Sequence, residues 1–250
     1  MDGPAGAPVL VLGNSLGTTV AMWEPQLPAL TGRFRVVRYD HRGHGGSPVP
    51  DGPYSLAELG GDVLALLDTL GLARVHLGGL SLGGMVAMWV AAHAPERVDR
   101  LALLCTSARL GPPEMWARRA ETVVSQGVVA IADVIVGRWF TPAFAASSPD
   151  VVVWARKLLT GTPAGGYAAC CAAVQTMDLV PALGSITAPT LVIAGAEDPA
   201  TPPEHARAIA AGISGARLEI VPAAAHLANV EQPGAVTRLL LDFLEGNRHD

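Results

Sequence analysis

The chain has 250 residues, of which half are apolar and only 16% are charged, and its formal net charge is −5. This composition excludes intrinsic disorder and lacks the basic clusters typical of nucleic-acid-binding proteins. No apolar run approaches the ~18–20 residues of a membrane span, and the N-terminus has no apolar stretch typical of a signal peptide. We therefore expect one soluble, cytoplasmic α/β domain with no nucleic-acid or membrane partner.

The three cysteines, Cys105, Cys170 and Cys171, do not suggest a disulfide framework. Their number is odd, two of them are adjacent, and none belongs to a C-x-x-C motif or to a pairing with histidine that would indicate zinc. We expect no metal, and the chemistry argued below needs no organic cofactor.

Short apolar runs alternate along the chain with longer segments whose apolar residues follow helical spacing, such as 56–70 and 82–94. This alternation predicts a mostly parallel sheet with helices on both faces. Continuously apolar runs fit strands that are buried on both sides. The predicted strands are 9–12, 35–39, 75–78, 101–105, 190–194 and 217–221.

The alternation is interrupted between residues 105 and 190, where no convincing strand occurs. A structureless loop of this length would be unusual in a compact domain. We expect a helical cap, residues 108–182, inserted before the penultimate strand of a core formed by 1–107 and 183–250. Such a cap would cover the carboxyl ends of the strands, where open parallel sheets bind ligands. Gly and Pro divide it into predicted helices at about 113–126, 127–139, 149–160 and 164–176.

Two segments, GNSLG at 13–17 and GLSLG at 79–83, match the G-x-S-x-G pattern of a nucleophilic serine on a sharp turn. Ser81 has the required context, because a predicted strand precedes it and an apolar helix pattern follows at once. Ser15 does not, because the segment after it contains two threonines and two prolines that disfavour a long helix. Ser81 is therefore the predicted nucleophile, and the amide of Leu82 at the helix N-terminus is a predicted oxyanion donor.

A serine hydroxyl is a weak nucleophile unless a histidine accepts its proton and an acid orients that histidine. Three histidines lie far enough beyond Ser81 in the chain, namely His205, His226 and His249. His249 belongs to the polar tail and His205 to a helical face, so we expect both at the surface. His226 lies in a loop after the last predicted strand, with a helix following, and is the predicted base.

The acid is expected directly after the preceding strand, where the sequence GAEDP offers Glu197 and Asp198. Asp198 is preferred because Pro199 fixes the backbone there and the carboxylate lies deeper in the turn. Glu197 is expected to face water and stays the alternative. The order Ser81, Asp198, His226, each after its own strand, is more specific than any single motif.

Six segments resemble the α/β-hydrolase superfamily and, within it, the 3-oxoadipate enol-lactone hydrolases (β-ketoadipate enol-lactonases). DHRGHG, whose His41, Arg42 and His44 are expected to support a turn, is common to the superfamily, whereas NSLGT and RWFT are more particular to the lactonases. The segments are LGNSLGTTVAMWEPQ (12–26), RYDHRGHGGSPVP (38–50), GLSLGGMVA (79–87), GRWFTPAF (137–144), GAEDPATPP (195–203) and AAHLANVEQP (224–233).

The resemblance implies an α/β-hydrolase fold whose N-terminal edge hairpin is missing or very short. It implies a serine hydrolase that opens 3-oxoadipate enol-lactone through an acyl-enzyme, in the β-ketoadipate pathway of aromatic-acid degradation. It further implies the amide of Leu16 as the second oxyanion donor beside Leu82, with the amide of Ser15 as the alternative. Arg138 would bind the carboxylate of the anionic substrate, and Trp139 would line the pocket or pack within the cap.

Two other classes of function remain open from the sequence. A broad-specificity carboxylesterase, a C–C bond hydrolase or a perhydrolase-like enzyme would use the same catalytic residues beneath a different cap. A non-catalytic binding protein could also be built on the same fold. The intact set of serine, aspartate and histidine disfavours this third hypothesis.

Overall fold

The structure is a computed structural model that describes residues 1–246. The prediction for His249 lies outside these described residues. The strands are β1 (Val9–Gly13), β2 (Arg35–Tyr39), β3 (Val75–Leu80), β4 (Val98–Leu104), β5 (Thr190–Gly195) and β6 (Arg217–Val221). They form one sheet in the order β2-β1-β3-β4-β5-β6, and each neighbouring pair is parallel, which confirms the predicted fold class.

The helices alternate with the strands and cover the sheet. Every residue of β3 and β5 is buried, so both faces at the centre of the sheet are shielded from water. The helices are α1 (Leu27–Leu30), α2 (Leu56–Thr69), α3 (Leu82–His93), α4 (Pro113–Gln126), α5 (Ala132–Val136), α6 (Pro142–Ser147), α7 (Pro149–Thr160), α8 (Ala164–Thr176), α9 (Pro203–Gly212), α10 (Ala228–Glu231) and α11 (Pro233–Leu244).

Between β4 and β5 the chain forms the helices α4 to α8. The division into a core and a cap with the bounds 108–182 stays a prediction, and we use the word cap for this helical segment. The single helix predicted over 127–139 is wrong. The chain forms a 3-10 helix at Val128–Ile131 and then the short α5, because the backbone of Ile131, with φ −109° and ψ −2°, departs from a regular α-helix between them. The other predicted cap helices are confirmed, namely 113–126, 149–160 and 164–176.

The outer edge of β2 carries one antiparallel bridge instead of a paired strand. The amide of Asp2 donates to the carbonyl of Val36 (2.9 Å), and the amide of Val36 donates to the carbonyl of Asp2 (2.7 Å). The expected edge hairpin is thus reduced to a single residue pair. Within residues 1–246, every helix is too short or too polar to cross a bilayer.

Candidate active site

Ser81 occupies a sharp turn between β3 and α3, with a left-handed φ of 55°. This conformation is strained for a residue that has a side chain, and it persists only where the surroundings enforce it. Two glycines permit the turn, because a Cβ on Gly79 would collide with the backbone of Gly83, and one on Gly83 with that of Gly13. The amide of Ser81 is held by the carbonyl of Leu104 in β4 (2.9 Å).

Asp198 and His226 meet at the carboxyl ends of β5 and β6. His226 Nδ1 donates to Asp198 Oδ2 (2.8 Å), so its Nε2 is left free to act as a base. The other carboxylate oxygen accepts from the amides of Ala200 (2.8 Å) and Thr201 (3.0 Å). Burial by itself raises the pKa of Asp198, but His226 and the hydrogen bonds from His226 and Thr201 outweigh it and lower the pKa.

A cavity of about 250 Å³ lies between the strand ends and the cap, and both Ser81 and His226 line it. Within residues 1–246, no hydrogen bond joins Ser81 Oγ to His226. Such bonds commonly tighten only when substrate is bound. Asp198 lies behind His226, whereas Glu197 is exposed, as expected from the sequence. The cap contributes to the lining, among others, Trp116, Arg119, Arg138, Trp139 and Tyr167.

The loop after β1 carries the amides of Ser15 and Leu16, and both residues line the cavity together with Ser81. The amide of Ser15 donates to the sulfur of Met22 (3.3 Å), so it is already engaged. Within residues 1–246, the amides of Leu16 and Leu82 donate no hydrogen bond. The roles of Leu16 and Leu82 as oxyanion donors stay a prediction, and the Met22 contact favours Leu16 over the alternative at Ser15.

Two buried histidines of the DHRGHG loop hold the loop that carries Leu16. His41 Nε2 donates to the carbonyl of Asn14 (3.0 Å), and His44 Nε2 accepts from the amide of Gly17 (3.0 Å). Burial is the main cause that lowers the pKa of His41 to about 3 and that of His44 to about 4. Both side chains are therefore neutral near pH 7. The sequence predicts that they support their own turn, but they also hold the loop after β1.

Two arginines line the cavity, and both are half-buried. Arg138 is the residue predicted from the sequence, whereas Arg119 was not singled out. The guanidinium of Arg119 lies 4.3 Å from the centre of the Trp116 ring, within the range of a cation–π contact. Within residues 1–246, neither arginine forms an ion pair, and no Asp or Glu side chain lines the cavity. The cavity is therefore cationic, although the chain has a net negative charge.

His205 is not the surface residue that the helical pattern of its segment predicts. It lines the same cavity, and its Nδ1 is 2.7 Å from the hydroxyl of Ser107. That hydroxyl donates to the carbonyl of Arg109 (2.6 Å), so it accepts from His205. The position of His205, in the first turn of a helix that follows a strand end, was the available signal.

Trp139, Arg119 and Tyr167 show how the cap shapes the cavity. Trp139 is only 3% exposed and lines the cavity, so it both packs and faces the site. Met115, Trp116 and Arg119 lie on one face of α4, at the spacing of one helical turn. That spacing was a signal for Arg119, whereas no local pattern marks Tyr167.

Comparison with known proteins identifies the fold family. A model of the alpha/beta hydrolase fold matches residues 8–233. The chain belongs to the alpha/beta hydrolase family. This α/β-hydrolase is 41% identical to 3-oxoadipate enol-lactonase 2 of Acinetobacter baylyi, over 93% of this chain and 87% of that protein. The resemblance that the sequence motifs indicate is thereby confirmed.

Solved structures give the same result. An enol-lactonase from Burkholderia xenovorans LB400 superposes with a TM-score of 0.96 at 43% identity, covering 98% of this chain and 94% of that one. A thermophilic esterase from Thermogutta terrifontis, with malate bound, superposes with a TM-score of 0.92 at 32% identity, covering 98% and 92%. This α/β-hydrolase is therefore an enzyme of the carboxylic-ester hydrolase class.

Proposed function

We propose that this α/β-hydrolase opens the ring of 3-oxoadipate enol-lactone to give 3-oxoadipate. The observation that carries the proposal is the cavity itself, which is lined by Ser81 and by His226, the partner of Asp198. Arg119 and Arg138 also line it, and within residues 1–246 neither forms an ion pair and no Asp or Glu belongs to the lining. Such a lining suits an ester that carries a negative charge. The enol-lactonase relatives identify that ester, since two of them are 41% and 36% identical to this chain over nearly its full length.

In the first half-reaction, Ser81 Oγ attacks the ring carbonyl while His226 Nε2 accepts the hydroxyl proton. Asp198 keeps the proton on the other ring nitrogen and stabilises the imidazolium that forms. The amides of Leu82 and Leu16 donate to the oxyanion, and each such donor contributes about 10²–10³ in rate. When the ring C–O bond breaks, His226 protonates the leaving enol oxygen, which remains tethered to the acyl group.

In the second half-reaction, His226 removes a proton from water, and the resulting hydroxide attacks the acyl-enzyme carbonyl. The bond to Ser81 Oγ breaks, and the proton returns from His226 to the serine. The released enol rearranges to the ketone of 3-oxoadipate. Arg138 binds the substrate carboxylate and Trp139 packs against the ring, which keeps the carbonyl over Ser81.

The proposal includes a setting for this reaction, namely the β-ketoadipate pathway of aromatic-acid degradation in the cytoplasm. The thiols of Cys105, Cys170 and Cys171 are buried and unpaired. Free thiols, including two adjacent ones, are consistent with a reducing compartment.

A spectrophotometric assay that compares 3-oxoadipate enol-lactone with p-nitrophenyl acetate tests the proposal. We expect the enzyme to turn over the lactone with a kcat/KM well above that for the ester. Hydrolysis of the ester with no turnover of the lactone would overturn the proposal and favour a broad esterase.

Three variants connect the assay to the proposed roles. Ser81→Ala is expected to lower kcat by about 10³-fold or more on either substrate. Ser15→Ala is the matched control and should retain most activity, because we expect Ser15 to contribute only its backbone. Arg138→Gln should raise KM for the anionic lactone more than KM for the neutral ester, whereas equal effects would contradict its role at the carboxylate.

A further inference from the structure

A buried carboxylate outside the proposed catalytic set connects the cap to the core. Glu231, the last residue of α10, is only 5% exposed. Its Oε1 accepts from both the amide (3.0 Å) and the hydroxyl (2.5 Å) of Thr141 in the cap. Its Oε2 accepts from the amide of Ala225 (2.8 Å), the residue directly before His226. One carboxylate thus bridges the cap and the loop of the predicted base.

A second connection joins the same two segments on the other side of His226. The amide of Leu227 donates to the carbonyl of Trp139 (2.9 Å). Both neighbours of His226 are therefore attached to the cap segment 138–141, the preceding one through Glu231 and the following one directly. This cap segment begins with Arg138, the predicted ligand of the substrate carboxylate.

We infer that Glu231 is a positioning residue that couples the substrate-binding segment 138–141 to the base His226. The inference rests on the proposed function for the role of Arg138, but its connection to His226 holds for any ester substrate. The side chain has no proton to donate when ionised, and three donors converge on it from two separate segments. Besides the hydrogen bond between Leu227 and Trp139, Glu231 links segment 138–141 to the loop of His226.

Glu231→Gln tests the coupling with little change in volume. The NH2 of the glutamine would face a donor of either Thr141 or Ala225. The hydrogen bonds to that residue are then lost, while those to the other residue remain. We expect kcat to fall about 10- to 100-fold on both the lactone and p-nitrophenyl acetate, because the base is displaced. We also expect KM to rise for the lactone but to change less than about twofold for the ester.

Thr141 offers the matched pair of variants at the other end of the bridge. Thr141→Ser keeps the hydroxyl donor and is expected to retain kcat and KM within about twofold. Thr141→Val removes it and should reproduce the rise in KM for the lactone. Thr141→Val also removes the hydroxyl that caps α6 by accepting from the amide of Phe144 (3.2 Å). Glu231→Gln leaves that cap in place, so a rise in KM that both variants share reports loss of the Glu231 contact.

Val63→Ala provides a control for stability, since Val63 is a buried core residue of α2 that does not line the cavity. If Glu231→Gln lowers Tm as Val63→Ala does but leaves kcat and KM as in that control, the coupling is refuted. If Glu231→Gln does not fold, Thr141→Val against Thr141→Ser decides the question. An enzyme that ignores the lactone would overturn the proposed function alone, because kcat for the ester still reports the connection to His226.

Discussion

Arg119 and its neighbour Arg118 differ in their surroundings, although they are adjacent on α4. Arg119 is half-buried against the Trp116 ring and lines the cavity, whereas Arg118 is exposed to solvent and is not part of the lining. A guanidinium that packs on an aromatic face has already lost part of its conformational entropy before a ligand binds. The further entropy loss on binding an anion is therefore smaller. We therefore expect Arg119 to assist Arg138 at the substrate carboxylate.

Replacement of Arg119 by Gln should raise KM for the anionic lactone about tenfold or more, which is the loss expected for one charged hydrogen bond. KM for p-nitrophenyl acetate should change little, because that ester carries no carboxylate. Arg118→Gln is the control on the same helix and should leave both KM values near those of the parent. Steady-state kinetics on the two substrates measure this difference, and an equal effect of both variants would point to a general change in charge.

The turn before α3 and the loop after β1 form one unit. The amide of Gly83 donates to the carbonyl of Asn14 (2.9 Å), and the two backbones approach so closely that a methyl group does not fit between them. We expect this contact to bring the amide of Leu16 towards that of Leu82. The two segments with the same G-x-S-x-G pattern are thus packed against each other at one site.

Gly83→Ala should separate these two elements. We expect a loss of about 1–3 kcal/mol in the free energy of unfolding from the steric conflict, together with a lower kcat on either substrate as the predicted oxyanion donors move apart. Gly61→Ala in α2 is the control, because a Cβ there would meet no atom within 4 Å. It should raise the stability by about 0.4–1 kcal/mol and leave kcat unchanged. Urea denaturation and the ester assay, carried out on both variants, measure the two quantities.

The stability of the whole molecule depends on keeping His41 and His44 neutral. Their pKa values in the folded state, about 3 and about 4, lie below the ordinary value of 6.5. Between pH 6.5 and these values, the unfolded chain binds protons at both residues while the folded protein does not. Stability therefore falls as the pH decreases through this window. The lowered pKa of Asp198 acts in the same direction at lower pH, since protonation of that carboxylate removes its contribution.

We expect the free energy of unfolding to decrease below about pH 6.5 by up to ~1.4 kcal/mol per pH unit for each of the two histidines. Urea denaturation between about pH 4.5 and 7.5 measures the slope. His44→Gln should reduce that slope, because one protonation site of the unfolded state is removed. A slope that is the same in the parent protein and in His44→Gln would contradict the assignment.

The fold and the order of the candidate catalytic residues follow from local patterns in the sequence. Buried parallel strands need continuous apolar runs, whereas helices need apolar residues that recur every three to four positions. The alternation of these two patterns along the chain therefore specifies the sheet. Ser81, Asp198 and His226 each follow such a strand, and parallel strands present their carboxyl ends at one edge. The prediction failed at 127–139, because the helix breaks at the backbone of Ile131, where no Gly or Pro marks the break in the sequence.

Contacts between distant segments could be decided only by the tertiary structure. Whether the amide of Ser15 or Leu16 is free depends on where the Met22 sulfur lies, and the exposure of His205 depends on the cap above it. Thr141 and Glu231 are 90 residues apart in the chain, and no periodicity relates them. The sequence by itself determined the strands, most of the helices and the order of the candidate catalytic residues, because these depend on neighbours along the chain. The folded structure decided which amides, arginines and carboxylates surround the cavity, because packing brings those groups together regardless of their separation in sequence.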